Sequence, residues 1–157
     1  MPRNNRFAPL AIPIIIGVVL QILFIFPDRR DTPTKAITEF TKAYFKADRS
    51  MIDRLCDQSK TVNDVDVVDR YIETKSKDAA DRGFGMFYMR DRVYDLRTQL
   101  ISHDDSSATL RLTAKVKPPL KAFFTGEGYR SIDEVVTVIN ESGKWKVCGN
   151  VFSIAEL

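Results

Sequence analysis

Histidine is almost missing from this chain. His103 is the only one in 157 residues, and cysteine occurs twice, at Cys56 and Cys148. Three such side chains are too few for a structural zinc site made of Cys and His alone, which takes four ligands. No Gly-x-Ser-x-Gly elbow, Walker-type loop or dinucleotide fingerprint occurs. Gly83-Phe84-Gly85 and Gly126-Glu127-Gly128 are isolated glycine pairs without the rest of a phosphate cradle, and they are read as a helix end and a bend. No cofactor and no metal are expected, and no residue is assigned a catalytic role. An excess of charge of one sign is missing too. Of the 24 basic side chains, Arg3 and Arg6 precede a long apolar run, and the rest nearly balance 21 acidic ones. A nucleic-acid binder needs a clustered basic stripe, so that class is excluded.

Long apolar runs are absent apart from one. Phe7 to Phe26, FAPLAIPIIIGVVLQILFIF, contains no charged residue. As a helix, about 20 residues would cover roughly 30 Å, the thickness of a bilayer's hydrocarbon, so the run is expected to be a transmembrane anchor. It is too long for a signal-peptide core, no small-x-small cleavage site follows it, and no lipobox cysteine is present, which favours an uncleaved signal anchor. Arg3 and Arg6 oppose Arg29, Arg30 and Lys35 in the positive-inside count, a near tie. The signal-like start and the cysteine pair, which in an exported domain tends to be oxidised, decide the orientation. Residues 1–6 are expected in the cytoplasm, 7–26 in the inner membrane as a single span, 27–32 as a linker, and 33–157 as an extracytoplasmic, periplasmic domain.

In that domain Thr32-Pro33 is a helix start, with threonine as cap and proline in the first turn. Ile37, Phe40, Tyr44 and Ala47 then recur at helical spacing to about residue 47. A second, shorter helix is expected from Ser50 through Cys56. A third is expected from Asn63 or Asp64 to Arg82, with Val65, Val68, Ile72 and Ala79 on one face and Gly83 closing it. Its leading acids, Asp64, Asp66 and Asp69, lack the glycine turn and closing glutamate of a calcium loop and suit a helix start. From Gly85 onward the period becomes two. Tyr94, Leu96, Thr98 and Leu100 alternate with polar residues; after a turn at residues 103–107, Ala108, Leu110, Leu112, Ala114 and Val116 do the same. A third strand covers about 129–140, its apolar cluster suggesting cover on both faces, and a last strand begins at Trp145, which shares a face with Val147. Helices first and antiparallel strands last make the fold class α+β, with the three helices packed on one side of the sheet.

That order, together with the closing Gly143-Lys144-Trp145-Lys146-Val147-Cys148-Gly149 after Glu141-Ser142, resembles the cone-shaped superfamily that includes nuclear transport factor two, ketosteroid isomerase and the polyketide-cyclase-like proteins. The resemblance covers about residues 33–154. It implies a curved antiparallel sheet around the helices with a pocket at the open end, and it brings the second helix close to the last strand. On that footing Cys56 and Cys148 are expected to form a disulfide, with two buried free thiols as the alternative. Members of the superfamily include enzymes, ligand binders and interaction modules, so fold does not choose among them.

Tyr71, Phe84, Tyr88, Tyr94 and Trp145 are the candidate pocket residues. The cluster Phe84, Met86, Phe87, Tyr88 and Met89 is read first as core and second as pocket lining. Leu120, Phe123 and Phe124 sit in a segment too apolar for an ordinary strand connection, and are candidates for contact with a partner or a membrane surface. His103-Asp104-Asp105 is read as a hairpin turn, not as a base with its orienting acid. Function is expected to be that of a membrane-anchored, non-enzymatic accessory module contacting a protein partner in an envelope assembly. A carrier of a hydrophobic small ligand is one alternative, and a small isomerase or cyclase is the other.

Overall fold

The computed structural model describes residues 12–21, 30–62, 64–118, 120, 123–124, 126 and 128–150. The chain forms two compact units, Met1–Arg30 and Asp31–Leu157. In the first, residues 12–21 form a helix, α1, whose isoleucines, valines and leucine are largely exposed. Here the expectation of a transmembrane helix is corrected: among the described residues no helix is long and apolar enough to cross a membrane. At about 1.5 Å per residue, the described part of α1 covers about 15 Å, half of a bilayer's hydrocarbon thickness. Phe7 and Phe26, the expected ends of the span, lie outside the described residues.

The second unit is α+β, with helical elements first and two antiparallel sheets. Helix α2, Pro33–Phe45, starts as its sequence dictates: the Thr32 hydroxyl accepts the Lys35 amide at 3.1 Å, and Pro33 occupies the first turn. Its buried stripe is Ala36, Ile37, Phe40, Thr41, Tyr44 and Phe45. The Thr41 hydroxyl donates to the Ile37 carbonyl at 2.7 Å, so burying it leaves no unmet hydrogen bond. The second helix differs from expectation. It is a 3-10 turn, Arg49–Arg54, and its cap is Asp48, which accepts the Ser50 amide at 2.9 Å. A four-residue helix α3, Asp57–Lys60, follows, and then a small hairpin, β1 Thr61–Val62 with β2 Val65–Asp66. Helix α4 therefore starts only at Val67 and ends at Asp81, capped by the Asp66 carboxylate on the Asp69 amide. Val65, expected on its buried face, is exposed in β2.

After a second 3-10 turn, Met86–Met89, comes one four-stranded meander: β3 Arg92–His103, β4 Ser107–Lys117, β5 Arg130–Glu141 and β6 Lys144–Cys148, in that spatial order. Strand β4 follows the alternation read from sequence, with Ala108, Leu110, Leu112, Ala114 and Val116 all buried. Two expectations fail beside it. A bulge sets Asp95 and Leu96 opposite a single β4 residue, so Tyr94 pairs with Lys115 on the solvent face while Thr98 pairs with Leu112 on the helix-facing side. Strand β5 is covered on one face only, since Val135 is exposed next to buried Val136 and Val138.

The helical layer is fixed to the far edge strand. Leu55 bridges Val147, the Cys56 amide donates to the Val147 carbonyl at 2.9 Å, and Cys56 is joined to Cys148 by a disulfide. The Arg54 guanidinium bonds the Glu39 carboxylate at 2.7 Å, Asp31 at 2.9 Å and the Trp145 carbonyl at 3.2 Å. Asp31 also accepts the Trp145 amide at 2.6 Å. Replacing Arg54 by Ala strips three groups of one partner, and the expected loss is on the order of 2–3 kcal/mol in urea unfolding. Arg111→Ala, which removes an exposed, solvent-screened ion pair with Asp133, is expected to leave the urea midpoint essentially unchanged. Equal effects would contradict this ranking.

Candidate functional site

The connection from β4 to β5 and the 3-10 turn before β3 meet at one end of the sheet. Phe123 and Phe124 are helical, and they are 82% and 64% exposed. Their rings meet edge to face at 5.3 Å, and Phe124 approaches Phe84 at 5.9 Å. Phe84 stacks on buried Tyr88 at 4.3 Å, so the patch is rooted in the core. Phe87, 61% exposed, lies beneath the Arg90 guanidinium, and Leu120 is half-buried. At the same end, Tyr94 meets Tyr129 edge to face at 5.5 Å, and the Lys117 ammonium sits over the Tyr129 ring at 5.2 Å. Phe84, Phe123 and Phe124 thus form one partly exposed aromatic cluster on buried Tyr88, with Phe87 exposed on the adjoining turn and cations over the Phe87 and Tyr129 rings. Surface aromatic clusters of this kind are what interaction sites are made of, because each ring offers a large area at little cost in side-chain entropy.

The five candidate pocket residues are not brought together. Phe84 and Tyr88 belong to the patch. Tyr71 stacks on Tyr44 at 4.5 Å, and its hydroxyl donates to the Tyr44 carbonyl at 3.1 Å. Burial, reinforced by neighbouring Tyr44 and Asp91, pushes the Tyr71 phenol well above its ordinary pKa, so it stays neutral. Tyr94 is on the solvent face, and Trp145, paired with Asn140, is at the opposite end of β5 from the patch. Asp95 is ion-paired with Lys115 on that solvent face, beside a groove of about 380 Å³ that Arg97, Thr113, Ser131 and Asp133 also line. Sequence reasoning placed Phe87 in the core and did not single out Arg90, Lys117 or Tyr129. The available signal was the density of aromatics between Gly83 and β3 without helical or strand periodicity to bury them.

His103 ends β3 with its ring 5.6 Å from that of Trp145. Asp104 next to it is occupied by the turn: it accepts the amides of Ser106 and Ser107 at 2.7 and 2.6 Å and both serine hydroxyls. The Ser107 hydroxyl above all, with the bonds from Ser106, holds the Asp104 carboxyl far below the usual range, so it is a turn anchor and not a proton acceptor for chemistry. Cys56, Cys148 and Glu141 come within metal-ligating distance of one another, but the sulfurs are joined in the disulfide. The Glu141 carboxylate is bound by the Lys146 ammonium at 2.7 Å and the Asp57 amide at 3.2 Å. The bridge has a Cα–Cα distance of 5.4 Å and links residues 92 apart.

No protein-family model matches the chain, and no curated protein matches it in sequence.

Two predictions follow from these placements. Replacing both Cys56 and Cys148 by Ser is expected to cost about 2–5 kcal/mol in equilibrium unfolding, and a loss below about 1 kcal/mol would mean that the strand contacts alone suffice. Because the folded-state pKa of Asp104 is depressed, its contribution is present above about pH 4 and is lost as pH falls further. Asp104→Asn should therefore lower the urea midpoint at neutral pH, followed by Trp145 fluorescence, and the gap from the unaltered protein should close below about pH 4. A gap independent of pH would contradict the assignment.

Proposed function

We propose that this protein is a non-enzymatic binding module that docks on a protein partner through the aromatic end of its sheet. The observation that carries this reading is the exposure of Phe84, Phe123 and Phe124 in one cluster seated on buried Tyr88, with Phe87 exposed on the turn that carries Tyr88. Each of these phenylalanines withholds part of the roughly 1.5–3 kcal/mol that full burial gives, in proportion to its exposure, and docking recovers it. Arg90 and Lys117 at the rim favour a partner with apolar side chains at its centre and acidic ones around them. The Cys56–Cys148 disulfide supports an oxidising, extracytoplasmic setting. The order of helices and meander, with Trp145 sealing the last strand, supports the resemblance to the cone-shaped superfamily, whose members include interaction modules.

Photo-crosslinking in intact cells tests the proposal. A photoreactive residue at position 123 or 87 is expected to trap one defined protein, whereas the same residue at Thr109 on the solvent face of β4 traps none. With the photoreactive residue at position 87, replacing Phe123 and Phe124 by Ser should abolish the product while changing stability by less than about 1 kcal/mol, because both rings are mostly exposed. Identical patterns at positions 123 and 109, or a product insensitive to the serine substitutions, would overturn the reading.

A further inference from the structure

Strand β3 is twelve residues long and pairs with β4 alone; among the described residues no strand lies along its other edge. Edge strands are normally blunted by lysine, proline, cover or bulges. Lysine and proline are missing from β3, and Thr98 to Ser102 carries no charge at all. Leu100 lies opposite fully buried Leu110, hence on the helix-facing side, yet it is 54% exposed, and Ile101 is 56% exposed. The helical layer stops short of this part of the sheet. Two bulges interrupt β3, at Asp95–Leu96 and at Ile101, and they flank a regular stretch centred near Thr98.

We propose that two copies of this chain pair edge to edge along β3, antiparallel, about a two-fold axis normal to the sheet and passing at Thr98, so that one sheet runs through both copies. The register follows from self-complementarity. Antiparallel neighbours directly opposite must point to the same face, so the axis has to pass at a residue. At Thr98, threonine meets threonine, a favourable cross-strand pair, and Leu96 of each copy covers Leu100 of the other on the helix-facing side. Arg97 meets Gln99 on the solvent face, so no like charges oppose. Each Asp95–Leu96 bulge lies beside the other copy's bulge at Ile101, so the extra residues offset and the register survives. At the ends Arg92 comes opposite Asp104, a pair of opposite charges. An axis at Leu96 would instead set Leu100 against Arg92, and one at Leu100 would set Leu96 against Asp104; both leave a leucine facing a charge. The docking patch lies outside this contact, since it is formed by the β4–β5 connection and the turn before β3.

Cysteine substitution reads the axis directly. Only the residue on the two-fold faces its own copy directly, with Cα atoms roughly 4.5–5.5 Å apart, inside the range of about 4.4–6.8 Å that a disulfide takes. Full-length Thr98→Cys, mildly oxidised and run on a non-reducing gel, is expected to form a covalent dimer. Gln99→Cys, whose copy is diagonal to it on the other face, is expected to stay monomeric. Sedimentation of the unsubstituted full-length chain should show a concentration-dependent dimer, and Leu100→Lys, at an exposed position that does not compromise folding, should weaken it at least tenfold. A chain that sediments as a monomer at every concentration, equal crosslinking at positions 98 and 99, or a dimer indifferent to Leu100→Lys would each overturn the proposal.

Discussion

The structure depends on one attachment, the three consecutive residues Arg54, Leu55 and Cys56 fixed along β6. Each uses a different interaction: a guanidinium shared by Asp31, Glu39 and the Trp145 carbonyl, a backbone bridge to Val147, and a covalent bond to Cys148. A helix laid on a sheet is held mainly by non-directional apolar burial, which tolerates sliding. Bonds of fixed geometry at one edge remove that freedom. They also draw in Asp31, where the second unit begins, and Glu39 on α2, so that three separate stretches of chain converge on β6. Phe40, Tyr44 and Met51 can then pack against Leu110, Leu112 and Val138 in a single arrangement.

With the β6 edge closed in this way, the opposite end of the sheet is where apolar surface is left over. Strand β4 ends at Lys117 and β5 begins at Arg130, and the connection between them carries phenylalanines outward. The same end receives Phe84 and Phe87 from the turn after α4. A patch supplied by two connections and seated on a packed tyrosine combines the placement of a loop with the stiffness of a core, which suits recognition better than catalysis. Titratable groups elsewhere serve the fold: Tyr71 is a half-buried neutral phenol, Asp104 anchors a turn, and Glu141 neutralises Lys146.

Much of this was legible in the chain. Thr32-Pro33 marked the start of α2, the strict alternation of β4 set its buried face, and Trp145 and Val147 were matched on one side of β6. With only two cysteines, the disulfide had one possible pairing. Three of the failures share a cause, in that each turned on backbone geometry with no glycine or proline to announce it. Asp95 and Asp64 adopt positive φ angles at 50° and 61°, one placing the bulge that turns Tyr94 outward and the other making the small hairpin that delays α4. Asp48 won the cap from Ser50 because the chain turns at Ala47, itself at a positive φ of 49°. Arg54 was invisible for a different reason: its partners lie 15, 23 and 91 residues away, beyond any local pattern. The apolar run before residue 27 illustrates the converse, since composition suggested a span that no described helix is long and apolar enough to make.

Native-state hydrogen exchange tests the attachment most directly. If residues 54–56 bind the helical layer to the sheet, the slow amides of α2 and those of β6 must open together, with one free energy and one dependence on denaturant. Opening of β6 at distinctly lower denaturant, while the amides of α2 stay protected, would contradict that account.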